Sequence, residues 1–519
     1  MPEVVRIGGG AAFFIDSAIH VPQLLAAGVD YIVLDYLAEG AMGLLGRARA
    51  ADPDAGYPDD FLAVHVGPHL EAIAGSDTRI IANAGGVNPA ALAVALREEI
   101  ARRDLDLTVG CVAGDDLLPR IDALCDNPLP GATSCNAYLG AFPIAEALRR
   151  GADIVVTGRV VDSALALGPL IHQFGWGERD WDRLAAGTLA GHLIECGAQA
   201  TGGTFTDWDR VEGWADIGAP IAEVTADASF VLTKPAGTGG TVTCATVAEQ
   251  MLYETADPQA YIVPDVVLDM SAVTTEQVGT DRVRVTGAIG HPSTGTLKVC
   301  ATADIGWRGV AYQPVIGPRA VERARKHAAA LFERGEAMLR GRDLAAFNRT
   351  EAVLIGAGAA LGRTDDAADE VALKLVVDHD QAIGAQMFVR EQFAAISAMA
   401  PGTSVAFGVS VTPRMELVSF LVAKDQVVPV LDMGAGFEAL APTTDGGFEP
   451  GAVVRPPRPN ATAPATRTVP LETLAWARSG EKGETINIGV IARDTARLGD
   501  LRAALTQQHD RRERVVTRD

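Results

Sequence analysis

Acids, amides and an arginine recur at one kind of position in this chain, directly after a short apolar run. Asp35 and Glu39 follow YIVL; Asn83, Gly85, Gly86 and Asn88 follow RIIA; Asp115 and Asp116 follow LTVGCVAG; Gly158, Arg159, Asp162 and Ser163 follow DIVVT. Gly8, Gly9 and Gly10 close the first run, VVRI. Two carboxylates as near in sequence as Asp35 and Glu39 form a working pair when one keeps the other protonated. The alternative is that one faces solvent and the other pairs with Arg159 or a helix end. Arg159 offers the planar fork that grips a carboxylate, a phosphate or a thioester-linked anion. Its spacing to Asp162 equally suits an internal salt bridge on a helix.

Three further stretches carry polar groups. In HLIECGAQATGGTF, His192 and Glu195 share a helix face. HxxE alone does not make a metal site, which needs a third ligand and an open position. It reads instead as a His–Glu hydrogen bond, able to serve as a tuned acid–base pair. KPAGTGGTVT sets Lys234 beside Thr238 and Gly239, as an anion-binding turn or a plain hairpin. It is not a Walker A loop, because Lys precedes the glycines. GGGAAFFIDS lacks the third glycine of GxGxxG, which argues against a nicotinamide or flavin site, although a glycine turn feeding a helix still presents N–H groups to an anion. Asp16 there caps a helix or lies on its surface. There is no GxSxG elbow, and no cysteine has an evident partner, so covalent hydrolase chemistry has no positive support.

The elements that must position these groups alternate. Five apolar runs (4–10, 31–39, 79–86, 107–116 and 153–162) are separated by helical candidates such as DSAIHVPQLLAAG, NPAALAVALREEIARRD and AYLGAFPIAEALRRG. Strand–helix alternation implies a parallel sheet with right-handed crossovers, and near-continuous apolar runs fit strands covered on both faces. Five units favour a doubly wound sheet over a closed barrel, and ligands of such sheets bind beyond the carboxyl ends of the strands. The fold class expected is α/β: a layered, mostly parallel sheet domain over 1–215, then a mixed α+β domain over 216–448. A Pro/Ala/Thr-rich linker over 449–468 and a short closing α/β module over 469–519 complete the chain.

Composition narrows the class. The chain has 519 residues, 48% hydrophobic and 21% charged, with a net charge of −22. Such acidity repels phosphate backbones, so no nucleic-acid partner is expected. No apolar stretch is long enough to span a membrane, and MPEVVRIGGG lacks the basic flank and long apolar region expected of a signal peptide. Cys111, Cys125, Cys135, Cys196, Cys244 and Cys300 show no ligand spacing and read as free thiols of a reducing, cytoplasmic compartment.

The most specific stretch is LAWARSGEKGETINIGVIARD, Leu474 to Asp494, where SGEKG separates two apolar runs. It resembles the ARSGDKG–NIGVIAR signature of the C-terminal ferredoxin-fold module found with acyclic terpene utilisation (AtuA-like) proteins. RIGGGAAFFIDS, DYIVLDYLAE, IIANAGGVNP, VTGRVVDSALALGPLIHQFGW and ATGGTFTDW resemble the successive blocks of that family's large domain, in order. The chain departs from the pattern at Glu481, where Asp is usual, and in a tail that ends soon after the signature. The resemblance implies a ferredoxin-like closing module packed onto the large domain or a neighbouring subunit. It also implies a place in the breakdown of acyclic terpenes such as citronellol and geraniol through branched acyl-CoA intermediates, with no cofactor.

The expected function is a cofactor-independent lyase, by hydration/dehydration or C–C cleavage, on a branched acyl-CoA or related carboxylate. Asp35, Glu39 or Glu195 would move protons, with Arg159 and Asp162 beside them. Asn83, Asn88 and Arg159 would orient the carbonyl or carboxylate, and the turns at Gly9, Gly10 and Gly86 would stabilise an enolate through backbone amides. Asp115, Lys234, Thr238, Gly239 and Lys482 complete the expected substrate contacts. No metal site is expected, and the chain is expected to be a homo-oligomer. The alternative is a non-catalytic partner or scaffold subunit of an acyl-CoA catabolic complex, motivated by the separate closing module.

Overall fold

The computed structural model describes residues 3–359, 362, 365–404, 410–455, 469–482 and 485–505. Residues 456–468 of the expected linker and 506–519 of the closing module lie outside the described residues. The chain is mixed α/β with large sheets. By contacts it divides into one unit of residues 1–302 with 417–519, and a second of residues 303–416. The strand-rich stretch from 217 to 302 therefore belongs with the parallel strands.

The five apolar runs all form strands: β1 (Val4–Ala11), β2 (Tyr31–Leu34), β3 (Arg79–Ala82), β4 (Val109–Ala113) and, after the unforeseen β5 (Ala132–Ala137), β6 (Ile154–Thr157). They pair in parallel in the order β1-β2-β3-β6-β4. Beyond β1 the sheet continues antiparallel through β7 (Ile221–Thr225), β8 (Phe230–Thr233) and a hairpin formed further along the chain. Leu34 lies opposite Ala82, Ala82 opposite Val156, and Val112 opposite Thr157. That register brings the residues following β2, β3 and β6 to one level at the carboxyl edge.

Side chains alternate across the pleat and feed two cores. Ile32, Leu34, Ile80, Ala82, Ile154 and Val156 join one cluster, together with Leu24 of the helix His20–Ala27 and Leu92 and Leu96 of the helix Pro89–Arg102. Tyr31, Val33, Ile81 and Val155 join the other, with the helices Phe142–Arg149, Ala164–Phe174 and Trp181–Ile194. Each such Leu or Ile contributes about 1.5–3 kcal/mol of burial. The connection after β3 thus covers one face and the connection after β6 the other, although β3 and β6 are neighbours. Such a change of face between neighbouring strands marks, at their carboxyl ends, the place where open α/β sheets form a ligand crevice.

One helical expectation shrinks. In AYLGAFPIAEALRRG only Phe142–Arg149 is helical, with Pro143 in its first turn. Residues 138–140 precede the helix, with Leu139 in a parallel bridge to Val160 beside the turn that follows β6. A side chain at Gly140 would come within 2.2 Å of Asp265 Oδ1, so this loop is packed close to the chain at 265.

The second unit has its own core. The antiparallel strands Arg349–Ile355 and Glu370–His379 pack with the helices Ala320–Arg340 and Ala382–Glu391 around Leu331, Leu373, Leu375 and Phe388. Phe332 stacks on Phe388 at 5.5 Å between centroids. The closing module forms a hairpin of Ala475–Lys482 and Thr485–Ala492 and a short helix, Leu498–Ala504. Among the described residues no helix is long and apolar enough to cross a membrane.

Candidate functional site

The crevice between β3 and β6 is built from the strand ends. Asp35, directly after β2, is buried, and its Oδ1 accepts a hydrogen bond from Asn83 Nδ2 at 2.6 Å. Asn83 is fixed in turn because its Oδ1 accepts from Tyr36 N at 2.7 Å. Burial pushes the Asp35 carboxyl well above the usual carboxylate range. The Asp162 charge raises it further, while Arg159 and the Asn83 bond oppose the shift and Glu195 adds to it.

Asp115, after β4, shapes the turn that follows β6. Its Oδ2 accepts from Arg159 N and from Asn136 Nδ2, both at 2.8 Å. Gly158 is required there, since a Cβ would fall 2.3 Å from Asp115 Oδ1. Burial raises the Asp115 carboxyl to about 6 against these bonds. Its place is behind the turn, as an anchor for Arg159.

Arg159 is 1% exposed and lies at the centre of a set of acids. Nη1 donates to Asp162 Oδ1 at 2.5 Å and to Val160 O at 3.1 Å. The guanidinium sits 4.1 Å from the Tyr138 ring centroid, a cation–π contact strengthened by the absence of solvent. Burial opposes its charge, but Asp162, then Tyr138, Glu39 and Asp35, outweigh that and hold its pKa well above the ordinary arginine value. Tyr138 OH donates to Glu39 Oε1 at 2.6 Å, and Lys298 Nζ donates to the same oxygen at 2.9 Å. Lys298 Nζ also lies 4.8 Å from the Tyr138 ring. Asp35 and Glu39 are therefore held by separate partners, and Arg159 is the charge they share.

A cavity of about 580 Å³ opens onto this cluster, a volume typical of a site for a small molecule. Its wall is mostly apolar, with Val161, Ala260, Ile262, Val263, Leu297 and Leu421. Tyr138, Asp162 and Lys298 form a polar stretch of that wall, and Glu254 and Asp257 also reach it. Arg159 is not among the lining residues. It acts behind Asp162 and Tyr138, so the cation presented to the cavity is Lys298.

The segment HLIE comes over the same crest. The helix Trp181–Ile194 approaches β1 so closely that a side chain on Gly9 would lie 1.9 Å from Ile194 O. His192 Nδ1 and Glu195 Oε1 are 2.9 Å apart, both residues buried, and the Glu195 charge is felt at Asp35 and at the Cys196 thiol. The imidazole lies 5.3 Å from the ring of Tyr261, a cavity residue.

Other expected contacts lie elsewhere. Asn88 caps the helix Pro89–Arg102, accepting from Ala91 N at 3.4 Å, and braces Pro53 O and Ala55 O at 2.9 Å each. Gly86 sits at φ +57 against Gly56 O, and Gly10 packs on Leu34; both serve close packing. Lys234 lines a different cavity of about 470 Å³, where its Nζ donates to Thr238 O at 2.7 Å and pairs with Asp281 at 3.3 Å. Gly239 abuts Gly213 backbone. These three hold a turn together, away from the crevice cluster. Lys482 ends the first strand of the closing hairpin, and its side chain lies outside the described residues.

Sequence reasoning overlooked Tyr138 and Lys298. The sequence reading puts Tyr138 in a helical candidate and Lys298 in the mixed α+β domain expected over 216–448. The signal for Tyr138 was Gly140 and Pro143, which together disfavour helix over 138–141.

Two family models match the chain. The acyclic terpene utilisation family protein AtuA matches residues 5–433, and the AtuA ferredoxin-like domain matches residues 469–517. No curated protein matches it. The order of blocks around the crevice and the closing signature thus agree with one assignment: the chain belongs to the acyclic terpene utilisation family AtuA, with the family's ferredoxin-like domain at its C-terminus.

Proposed function

We propose that the chain is a catabolic enzyme that adds or removes water, or cleaves a C–C bond, next to the carbonyl of a branched acyl-CoA or related carboxylate. The observation that carries this reading is a mostly apolar cavity in whose wall Tyr138, Asp162 and Lys298 stand together. An apolar branched chain matches the wall, and a carbonyl oxygen matches Lys298. In the hydration direction, water gives its oxygen to the β-carbon and its proton to Asp162, whose carboxylate Arg159 orients. The α-carbon takes a proton from Tyr138 OH, and solvent returns one proton to Tyr138 as Asp162 releases one. Lys298 stabilises the enolate that forms between these events, and Glu39, which accepts from Tyr138 OH, orients that hydroxyl. Burial and the neighbouring Asp162 charge raise the Asp35 carboxyl well above the usual carboxylate range, which favours its neutral form beside Asp162. His192 with Glu195 is the second acid–base pair of the crest.

A partner-subunit role has its own support. Trp208 and Trp214 are 63% and 56% exposed, with ring centroids 6.4 Å apart, an aromatic pair of the kind found in interfaces. A thermal-shift screen of the purified protein separates the readings. The panel holds CoA, acetyl-CoA, branched enoyl-CoAs, free terpenoid acids and divalent metals. A rise in Tm with branched thioesters supports the enzyme. A response confined to metals or free acids contradicts the thioester assignment, and no response favours the partner subunit.

A further inference from the structure

The hairpin Ala475–Lys482 and Thr485–Ala492 grips the chain at two places. The first is residues 199–207, just beyond Glu195. Arg478, 7% exposed, donates to Gln199 Oε1, to Thr204 O at 3.1 Å and to Gly203 O at 3.4 Å. Ala477 and Thr206 exchange two bonds of 3.1 Å, N to Oγ1 and Oγ1 to O. Trp476 Nε1 donates to Asp207 Oδ2 at 3.1 Å, and Arg493 pairs with the same carboxylate.

The second place is residues 252–255. Asn487 Nδ2 donates to Leu252 O at 3.3 Å and to Thr255 O at 3.1 Å, spanning a turn in which Glu254 is left-handed, at φ +54. Such a backbone is unfavourable for a side chain like glutamate and persists only where its surroundings hold it. The Arg478 guanidinium lies 4.7 Å from the Tyr253 ring. Gly480 and Gly489 have no room for a side chain, because a Cβ would reach 2.6 Å from Glu254 N and 2.8 Å from Leu252 Cβ respectively. The cavity wall begins at this turn, with Glu254, and continues through Asp257 and Ala260 to Pro264. Over that stretch the only strand is the two-residue Tyr261–Ile262. A wall with so little regular pairing of its own depends on what clamps its ends.

We propose that the closing hairpin sets the shape of the cavity, with Arg478 and Asn487 as positioning residues that decide which apolar chains fit. The inference rests on the cavity being the ligand site of the proposed function. It gives physical roles to ARSG and INIG: Arg478 and Asn487 clamp, while Gly480 and Gly489 permit contact.

The test uses the full chain. Hydrogen exchange is followed by mass spectrometry in wild type, Asn487→Ala, Arg478→Met and Arg493→Gln. The expected result is about tenfold faster exchange over residues 253–264 in the first two variants, with the parallel strands unchanged. Arg493→Gln loosens only the far end of the hairpin and should leave 253–264 protected. The ratio of Kd values for 4-methylpentanoyl-CoA and butanoyl-CoA is then compared. It should move about fivefold or more in Asn487→Ala and Arg478→Met, partly recover in Arg478→Lys, and stay constant in Arg493→Gln. Unchanged protection at 253–264 overturns the proposal, as does an equal effect of Arg493→Gln. If wild type binds neither thioester, the ligand assignment fails, while the exchange data still decide whether the hairpin holds the wall.

Discussion

Replacing Arg159 with methionine should expose how the crevice balances its charge. The substitution keeps most of the apolar stem and removes the cation that Asp162, Asp35 and Glu39 share. Three interactions vanish: the 2.5 Å bond to Asp162, the 3.1 Å bond to Val160 O and the stacking on Tyr138 at 4.1 Å. A charged hydrogen bond contributes about 1.5–3 kcal/mol and a desolvated cation–π contact about 2 kcal/mol. Relief from burying a guanidinium offsets part of this, which leaves a cost of about 3–5 kcal/mol with the carboxylates ionised.

The cost must depend on pH. Without Arg159, which opposes the shift, the native Asp35 carboxyl rises further above its unfolded value. A raised native pKa gives stability below the unfolded pKa that is lost as pH rises through the native one. The Arg159→Met penalty should therefore be smallest at acid pH and grow towards its full value of about 3–5 kcal/mol as pH rises and the carboxyls ionise. Urea unfolding of wild type, Arg159→Met and Arg159→Lys at several pH values measures it, with the lysine variant intermediate. A penalty that is flat with pH, or below about 1 kcal/mol throughout, refutes the reasoning.

Asp115→Asn keeps an oxygen acceptor for Arg159 N and Asn136 but removes a carboxyl whose native pKa is about 6. Wild type should lose up to about 3 kcal/mol relative to the variant as pH rises from about 4 to about 6, read from denaturant unfolding. Gly9→Ala places a methyl group 1.9 Å from Ile194 O and should lower stability by about 3 kcal/mol or more, seen as a fall in Tm, because a backbone carbonyl cannot rotate away. Lys298→Met should leave the fold intact and weaken branched acyl-CoA binding by about tenfold or more in calorimetric titration, since it removes the cation that faces the cavity.

How much of this was legible in sequence follows from what local patterns encode. The strands β1, β2, β3, β4 and β6 were visible because each is an apolar run ended by a polar or small residue. The carboxyl-end rule then found Asp35, Asn83 and Arg159, which the structure brings to one crevice. β5 was missed because ATSCNA is neither strongly apolar nor alternating. Tyr138 directly follows the missed β5, and Lys298 reaches Glu39 from a segment distant in sequence; no local periodicity encodes either approach. Lys234 with Thr238 and Asn88 illustrate the reverse. Their residue types suit ligand binding, but their hydrogen bonds close a turn and cap a helix.

The measurement that bears most directly on the central claim is turnover of a branched enoyl-CoA by purified wild type and Asp162→Asn, followed by loss of the conjugated thioester absorbance. The account predicts turnover by wild type and a rate about a thousandfold lower in the variant, with binding and folding retained. Equal rates in the two proteins, or no turnover by wild type although the thioester binds, would contradict it.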